Sequence, residues 1–115
     1  MLPEDDRIRL QHMLDAARKA ARLAAGRSRE ELDAEDDPLA AALVHWICVI
    51  GEAASKVSSG TCSAVDGIPW PDIVGMRNRL IHAYFDINLD IVWDILSLDL
   101  PKLDRELEYL IPLLS

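Results

Sequence analysis

The sequence predicts an all-α domain, an up-and-down antiparallel bundle of four to five helices, on three observations. Half of its residues are apolar, with Ala and Leu prominent and aromatics few, a composition that suits helices better than strands. Apolar residues recur at alternating spacings of four and three, which is the period of a helix buried along one stripe. Gly, Pro, Ser and Asn punctuate those stretches at short intervals, so successive helices must fold back on one another. A chain of 115 residues supports one core, so residues 1–115 form a single domain carrying one site or half of one.

The first helix is expected from about Pro3 to Ala25, with Leu10, Leu14, Ala17, Ala21 and Ala24 on one stripe and Gly26 as its stop. Ser28-Arg29-Glu30-Glu31 has the form of a capping box, and Asp33 to Asp37 is an acidic break. Asp37-Pro38 reads as N-cap and first residue of a second helix buried through Leu39, Leu43, Trp46, Ile50, Ala53 and Val57, and stopped by Ser58-Ser59-Gly60. A polar loop leads to Pro69-Trp70-Pro71-Asp72, which launches a third helix with Ile73, Met76, Leu80 and Tyr84 on its apolar side. Asn88 is the expected cap of a fourth helix ending near Leu96. Asp99-Leu100-Pro101 restarts the chain into a final helix whose stripe is Leu100, Leu103, Leu107, Leu110 and Leu114.

No apolar run approaches the roughly 20 residues that span a bilayer, and Met1-Leu2-Pro3-Glu4-Asp5-Asp6 lacks the layout of a signal peptide, so a cytoplasmic protein with no membrane partner is expected. Cys48 and Cys62 are too few for a disulfide framework and stand at no metal-ligand spacing; both are expected as reduced packing thiols. The formal charge of −8 argues against nucleic acid at first sight. Its distribution argues otherwise: Arg7 to Arg29 holds seven cations and one acid, whereas Asp86 to Glu108 holds seven acids and two cations. Such polarity fits either two solvated helix faces or a surface awaiting a complementary partner.

One segment concentrates reactive side chains: Met76-Arg77-Asn78-Arg79-Leu80-Ile81-His82-Ala83-Tyr84. A guanidinium, an amide, an imidazole and a phenol together hold a phosphate, orient a hydroxyl and move a proton. On an uninterrupted helix Asn78 and His82 share a face one turn apart, and Arg77 stands about 140° from His82. The bland alternative is surface charge. Arg79 is a secondary candidate that steers a substrate or pairs with an acid, and Glu52 is either a buried partner for Arg77 or a surface carboxylate. His12 and His45 read as structural, and Trp46, Trp70 and Trp93 as core or interface.

Arg77-Asn78-x-x-x-His82-x-Tyr84 resembles the Arg-Asn-x-x-x-His-x-Tyr signature of HepT-like proteins of the HEPN class. Gly51-Glu52-Ala53 and Arg9-Leu10-Gln11-His12-Met13-Leu14 are similar to further landmarks of the family, as are Ile68-Pro69-Trp70, Val92-Trp93 and Leu100-Pro101. Two positions depart from its pattern: Pro71 stands where a basic residue is common, and Ala83 where an acidic one often follows the His.

The resemblance implies a homodimeric ribonuclease needing neither metal nor cofactor, with RNA as substrate and Arg77, Asn78 and His82 catalytic. It further implies the toxin of a type VII toxin–antitoxin system, partnered by an MntA-like nucleotidyltransferase antitoxin that adds AMP to Tyr84. The alternative is a non-catalytic helical module that binds a nucleotide or partner and acts with a nucleotidyltransferase. A third, a ligand-free dimerisation bundle, leaves the polar cluster unexplained.

Overall fold

The computed structural model describes residues 3–34, 36–83 and 86–113, with residues 82 and 83 described by backbone alone. The first helix, α1 (Glu4–Ala24), buries Leu10, Met13, Leu14, Ala17 and Ala20. The burial follows a 3.6-residue period, so it takes in Met13 and Ala20 and leaves the expected Ala21 exposed. Gly26, at φ +74°, supplies the left-handed turn that ends the helix. The capping box is replaced by a 3-10 turn, Arg29–Asp33: Ser28 makes no side-chain cap, and Glu31 pairs with Arg27, which also holds Asp37.

Asp37 does cap α2 (Leu39–Ser55), accepting from the Leu39 amide at 3.0 Å. Leu43, Ile47 and Ile50 are fully buried there, while Trp46 is half-buried with Lys19 4.5 Å over its ring. The expected loop after α2 begins instead with a short helix, α3 (Ser59–Ala64), because Ser58 caps it through the Thr61 amide.

Two segments, α4 (Trp70–Val74) and α5 (Met76–Leu80), make a bent third arm around Gly75. A two-stranded ladder follows, β1 (Ile81–Ala83) against β2 (Asp86–Ile87), a local feature of an otherwise all-helical domain. Asn88 then caps α6 (Leu89–Asp94) as expected, accepting from the Ile91 amide at 3.1 Å. The expected restart at Asp99 does not occur. A π turn (Ile95–Asp99) carries the helix directly into α7 (Leu100–Leu113), keeping Ile95, Leu96, Leu100, Leu103 and Leu107 buried. Leu110 is only partly buried, and Leu114, like Tyr84 and Phe85, lies outside the described residues.

Helix α1 packs against both α2 and α7. Asp6, in the first turn of α1, is buried and meets Ser58 just beyond the end of α2, so α1 and α2 run antiparallel. Its carboxylate accepts from the Ser58 amide at 3.1 Å and from the hydroxyls of Ser58 and Thr61. Hydrogen bonds from Ser58 and then Thr61 hold the Asp6 carboxyl below its ordinary pKa, against the opposing effect of burial. A depressed folded-state pKa favours the ionised form, so this stabilisation is complete above the unfolded carboxylate range and disappears as pH falls through the folded value. Asp6→Ala should cost about 2 kcal/mol near neutrality, read from denaturant midpoints, and its deficit should shrink below about pH 4. A deficit independent of pH would contradict that origin.

The charge asymmetry of the sequence is partly neutralised within the fold. Arg18 meets Asp104 at 3.3 Å and Glu108 at 3.5 Å, and Arg29 meets Asp90 at 2.7 Å. Among the described residues no helix is long and apolar enough to cross a membrane.

Candidate functional site

The bent third arm positions the reactive segment. Trp70 is buried at its entry, and the indole N–H donates to the Val65 carbonyl at 2.9 Å, fixing where α4 begins. Met76 and Leu80, four residues apart and fully buried, clamp α5 onto the core, so Arg77, Asn78 and Arg79 between them are exposed. Gly51 on α2 sets how closely this arm approaches: a Cβ there would lie 3.4 Å from the carbonyl oxygens of Ile73 and Val74. A methyl just fits, and anything longer must push α4 away, which gives a physical reason for the Gly51-Glu52-Ala53 landmark.

The helix does not continue to His82. It ends at Leu80, whose carbonyl accepts from the Asn88 amide at 2.7 Å, and Ile81 is already extended at φ −110° and ψ 106°. A β-branched residue paired with Ile87 across the short ladder favours that extension. The shared helical stripe expected for Asn78 and His82 is therefore corrected: Asn78 is on α5 and the backbone of His82 is in β1. Tyr84, the expected modification site, lies outside the described residues.

Arg77 and Arg79 are two positions apart on one helical turn, about 200° around the axis, and the structure sends them in different directions. Arg79 is neutralised, its Nη1 lying 2.8 Å from Asp99 in the π turn, which selects the acid-pairing alternative. Arg77 enters a groove of about 440 Å³ bordered by α1 and α2. Glu52 lines the same groove but is exposed and pairs with Lys56 at 3.5 Å rather than with Arg77. Among the described residues Arg77 has no carboxylate partner.

Arg9 and His12 from α1, and His45 and Cys48 from α2, complete the polar lining of this groove. Burial pushes the Cys48 thiol above its ordinary pKa, an effect that the nearby Arg77 only opposes, so the thiol stays protonated at neutral pH and is a poor nucleophile. His12 and His45, read from sequence as structural, are exposed beside Arg77. For His12 the signal was its place beside Arg9, three residues apart on the polar side of α1.

A larger cavity of about 730 Å³ opens on the Arg79 side, between α4 and α7. It holds Lys102 and Arg105 with Asp72, Glu106 and the paired Arg79 and Asp99, so the charges of its described lining balance, and neither Arg77 nor Asn78 lines it. The smaller groove, with Arg77, is the better site on chemical grounds.

The family model described as "Ribonuclease HepT-like" matches residues 13–110. A protein of Caldanaerobacter subterraneus subsp. tengcongensis, named "Putative RNase TTE0752", is 30% identical over 99 residues, covering 86% of this chain and 88% of that protein. One from Methanocaldococcus jannaschii, "Putative RNase MJ1380", is 36% identical over 67 residues, covering 58% of this chain and 62% of its own length. "Probable ribonuclease HepT" of Thermococcus cleftensis is 32% identical over 69 residues, 60% of this chain and 63% of that one. No solved structure matches.

Proposed function

The chain belongs to the HepT-like ribonuclease family, and from that membership we propose that it is a metal-independent endoribonuclease, the toxin of a type VII toxin–antitoxin pair acting in the cytoplasm. Arg77, Asn78 and His82 cut RNA within a homodimer, and AMP addition to Tyr84 by an MntA-like nucleotidyltransferase silences the site. The observation that carries this reading is the state of Arg77: an exposed guanidinium at a groove, with no carboxylate partner among the described residues. By contrast Arg18, Arg27, Arg29 and Arg79 are all neutralised by acids. A phosphodiester serves Arg77 as counterion, gripped through the bidentate fork that guanidinium offers to phosphate.

The reaction follows from that grip. The ribose 2′-hydroxyl attacks the adjacent phosphorus; a P–O2′ bond forms and the P–O5′ bond breaks, giving a 2′,3′-cyclic phosphate and a 5′-hydroxyl. One base takes the 2′ proton and one acid delivers a proton to the departing 5′ oxygen. Imidazole, with an ordinary pKa near neutrality, suits both tasks, and Arg77 offsets the charge that builds on the phosphoryl oxygens. Asn78 orients a phosphate oxygen. A single imidazole is poorly suited to acting as acid and base in one step, so a two-fold dimer contributes His82 from each protomer to one cleft.

The test is digestion of an RNA and its DNA counterpart in the presence of a chelator. RNA should be cut and DNA left whole, because DNA has no 2′-hydroxyl. RNA that survives intact at high enzyme concentration would remove the nuclease reading and leave a binding module.

A further inference from the structure

We propose that the groove bordered by α1 and α2 is an RNA track that holds phosphates flanking the one being cut, with Arg9 and Lys56 as its anion contacts and His12 and His45 as contacts to bases or sugar. The inference rests on the ribonuclease reading for the identity of the strand, but its geometry is independent of the catalytic step. The groove carries Arg9, Lys56 and Arg77 against one carboxylate, Glu52, in a chain whose formal charge is −8. Four other arginines are held by acids, Arg18 by Asp104 and Glu108, Arg27 by Glu31 and Asp37, Arg29 by Asp33 and Asp90, and Arg79 by Asp99, whereas Arg9 and Arg77 in the groove have no ion pair among the described residues. A local excess of positive charge on an acidic protein draws a polyanion onto that face.

The dimensions suit a strand rather than a lone phosphate. His45, Cys48, Glu52 and Lys56 recur at spacings of three and four along α2, so the lined stripe runs for about 16 Å from His45 to Lys56, with Arg9 and His12 bordering it from α1. At one end the His45 ring is braced by Trp46, with centroids 4.7 Å apart and planes at 71°, which gives an exposed flat group a fixed position against which a base can stack. Glu52 is the discordant charge. It lies 3.5 Å from Lys56, and a phosphate entering the track must compete with it for that ammonium.

Binding of a 2′-O-methyl RNA oligonucleotide, which cannot be cleaved, tests the track across a salt series. The double variant Arg9→Ala/Lys56→Ala should bind about tenfold or more weakly than wild type, and the slope of log Kd against log salt should fall by about 1.4, the loss of two single-strand phosphate contacts. Glu52→Gln should bind more tightly than wild type, a gain that misfolding does not produce. Unchanged affinity and salt slope in the double variant, or no gain from Glu52→Gln, overturns the track. Cleavage of ordinary RNA by the wild type is scored alongside: intact RNA there sinks the nuclease reading, while the binding series still decides the groove.

Discussion

His82→Ala and Arg77→Ala are each expected to lower RNA cleavage by about 10²- to 10⁴-fold, the range for losing a proton-transferring group or a donor that stabilises transition-state charge. The two should fail differently. Arg77 grips the phosphate in both ground and transition states, so its loss should weaken RNA binding as well as kcat, whereas His82→Ala should retain most of its affinity for uncleavable RNA. Neither substitution should alter helix content: Arg77 is exposed, and the backbone of His82 lies beyond the end of α5, in β1. Circular dichroism and single-turnover kinetics on the same preparations check this. Wild-type rates in either variant would refute the assignment of that residue.

Incubation with a cognate MntA-like nucleotidyltransferase and ATP is expected to add AMP to Tyr84 and reduce cleavage to the level of the His82 variant. The phenolic oxygen attacks the α-phosphorus of ATP, a P–O bond to tyrosine forms, pyrophosphate leaves and the phenol proton passes to solvent or a base. A phosphodiester anion tethered two residues beyond His82 offers Arg77 a counterion, and so competes with RNA for the same guanidinium. Mass spectrometry should find the adduct on wild type and not on Tyr84→Phe, and Tyr84→Phe should keep cutting in the presence of the nucleotidyltransferase. Undiminished addition to Tyr84→Phe places the modification elsewhere.

The helices were legible because each is buried along one stripe: Leu39, Leu43 and Ile50 on α2, and Leu100, Leu103 and Leu107 on α7, stand where the periodicity puts them. Their caps were legible at Asp37 and Asn88, whose short acceptors satisfy amide groups two and three residues ahead. The junctions were less so. Asp99-Leu100-Pro101 carries every local mark of a helix start, yet a π turn preserves the burial of Ile95, Leu96 and Leu100 through it, and tertiary packing outweighs the local signal. Leu80 to Ile87 failed for the opposite reason: the amide that ends α5 comes from Asn88, eight residues downstream, and a local periodicity does not register such a bond.

At the site, sequence singled out Arg77 and left open the roles of Arg79 and Glu52, which only the positions of Asp99 and Lys56 decide. The charge count misled in a useful way. A net of −8 hides the fact that Asp104 and Glu108 are engaged with Arg18, Glu31 and Asp37 with Arg27, and Asp33 and Asp90 with Arg29, while Arg9 on α1 lines the same groove as Arg77. His12 and His45 belong to different helices, and their meeting at one groove is a property of the antiparallel packing of α1 on α2.

The chemistry of the cut ends tests the central claim most directly. Products formed in excess chelator should carry a 2′,3′-cyclic phosphate on one side and a 5′-hydroxyl on the other, read by mass spectrometry of a defined RNA. Fragments ending in 3′-hydroxyl and 5′-phosphate, or cleavage that ceases when divalent ions are withdrawn, would contradict an attack by the 2′-hydroxyl driven by Arg77 and His82 alone.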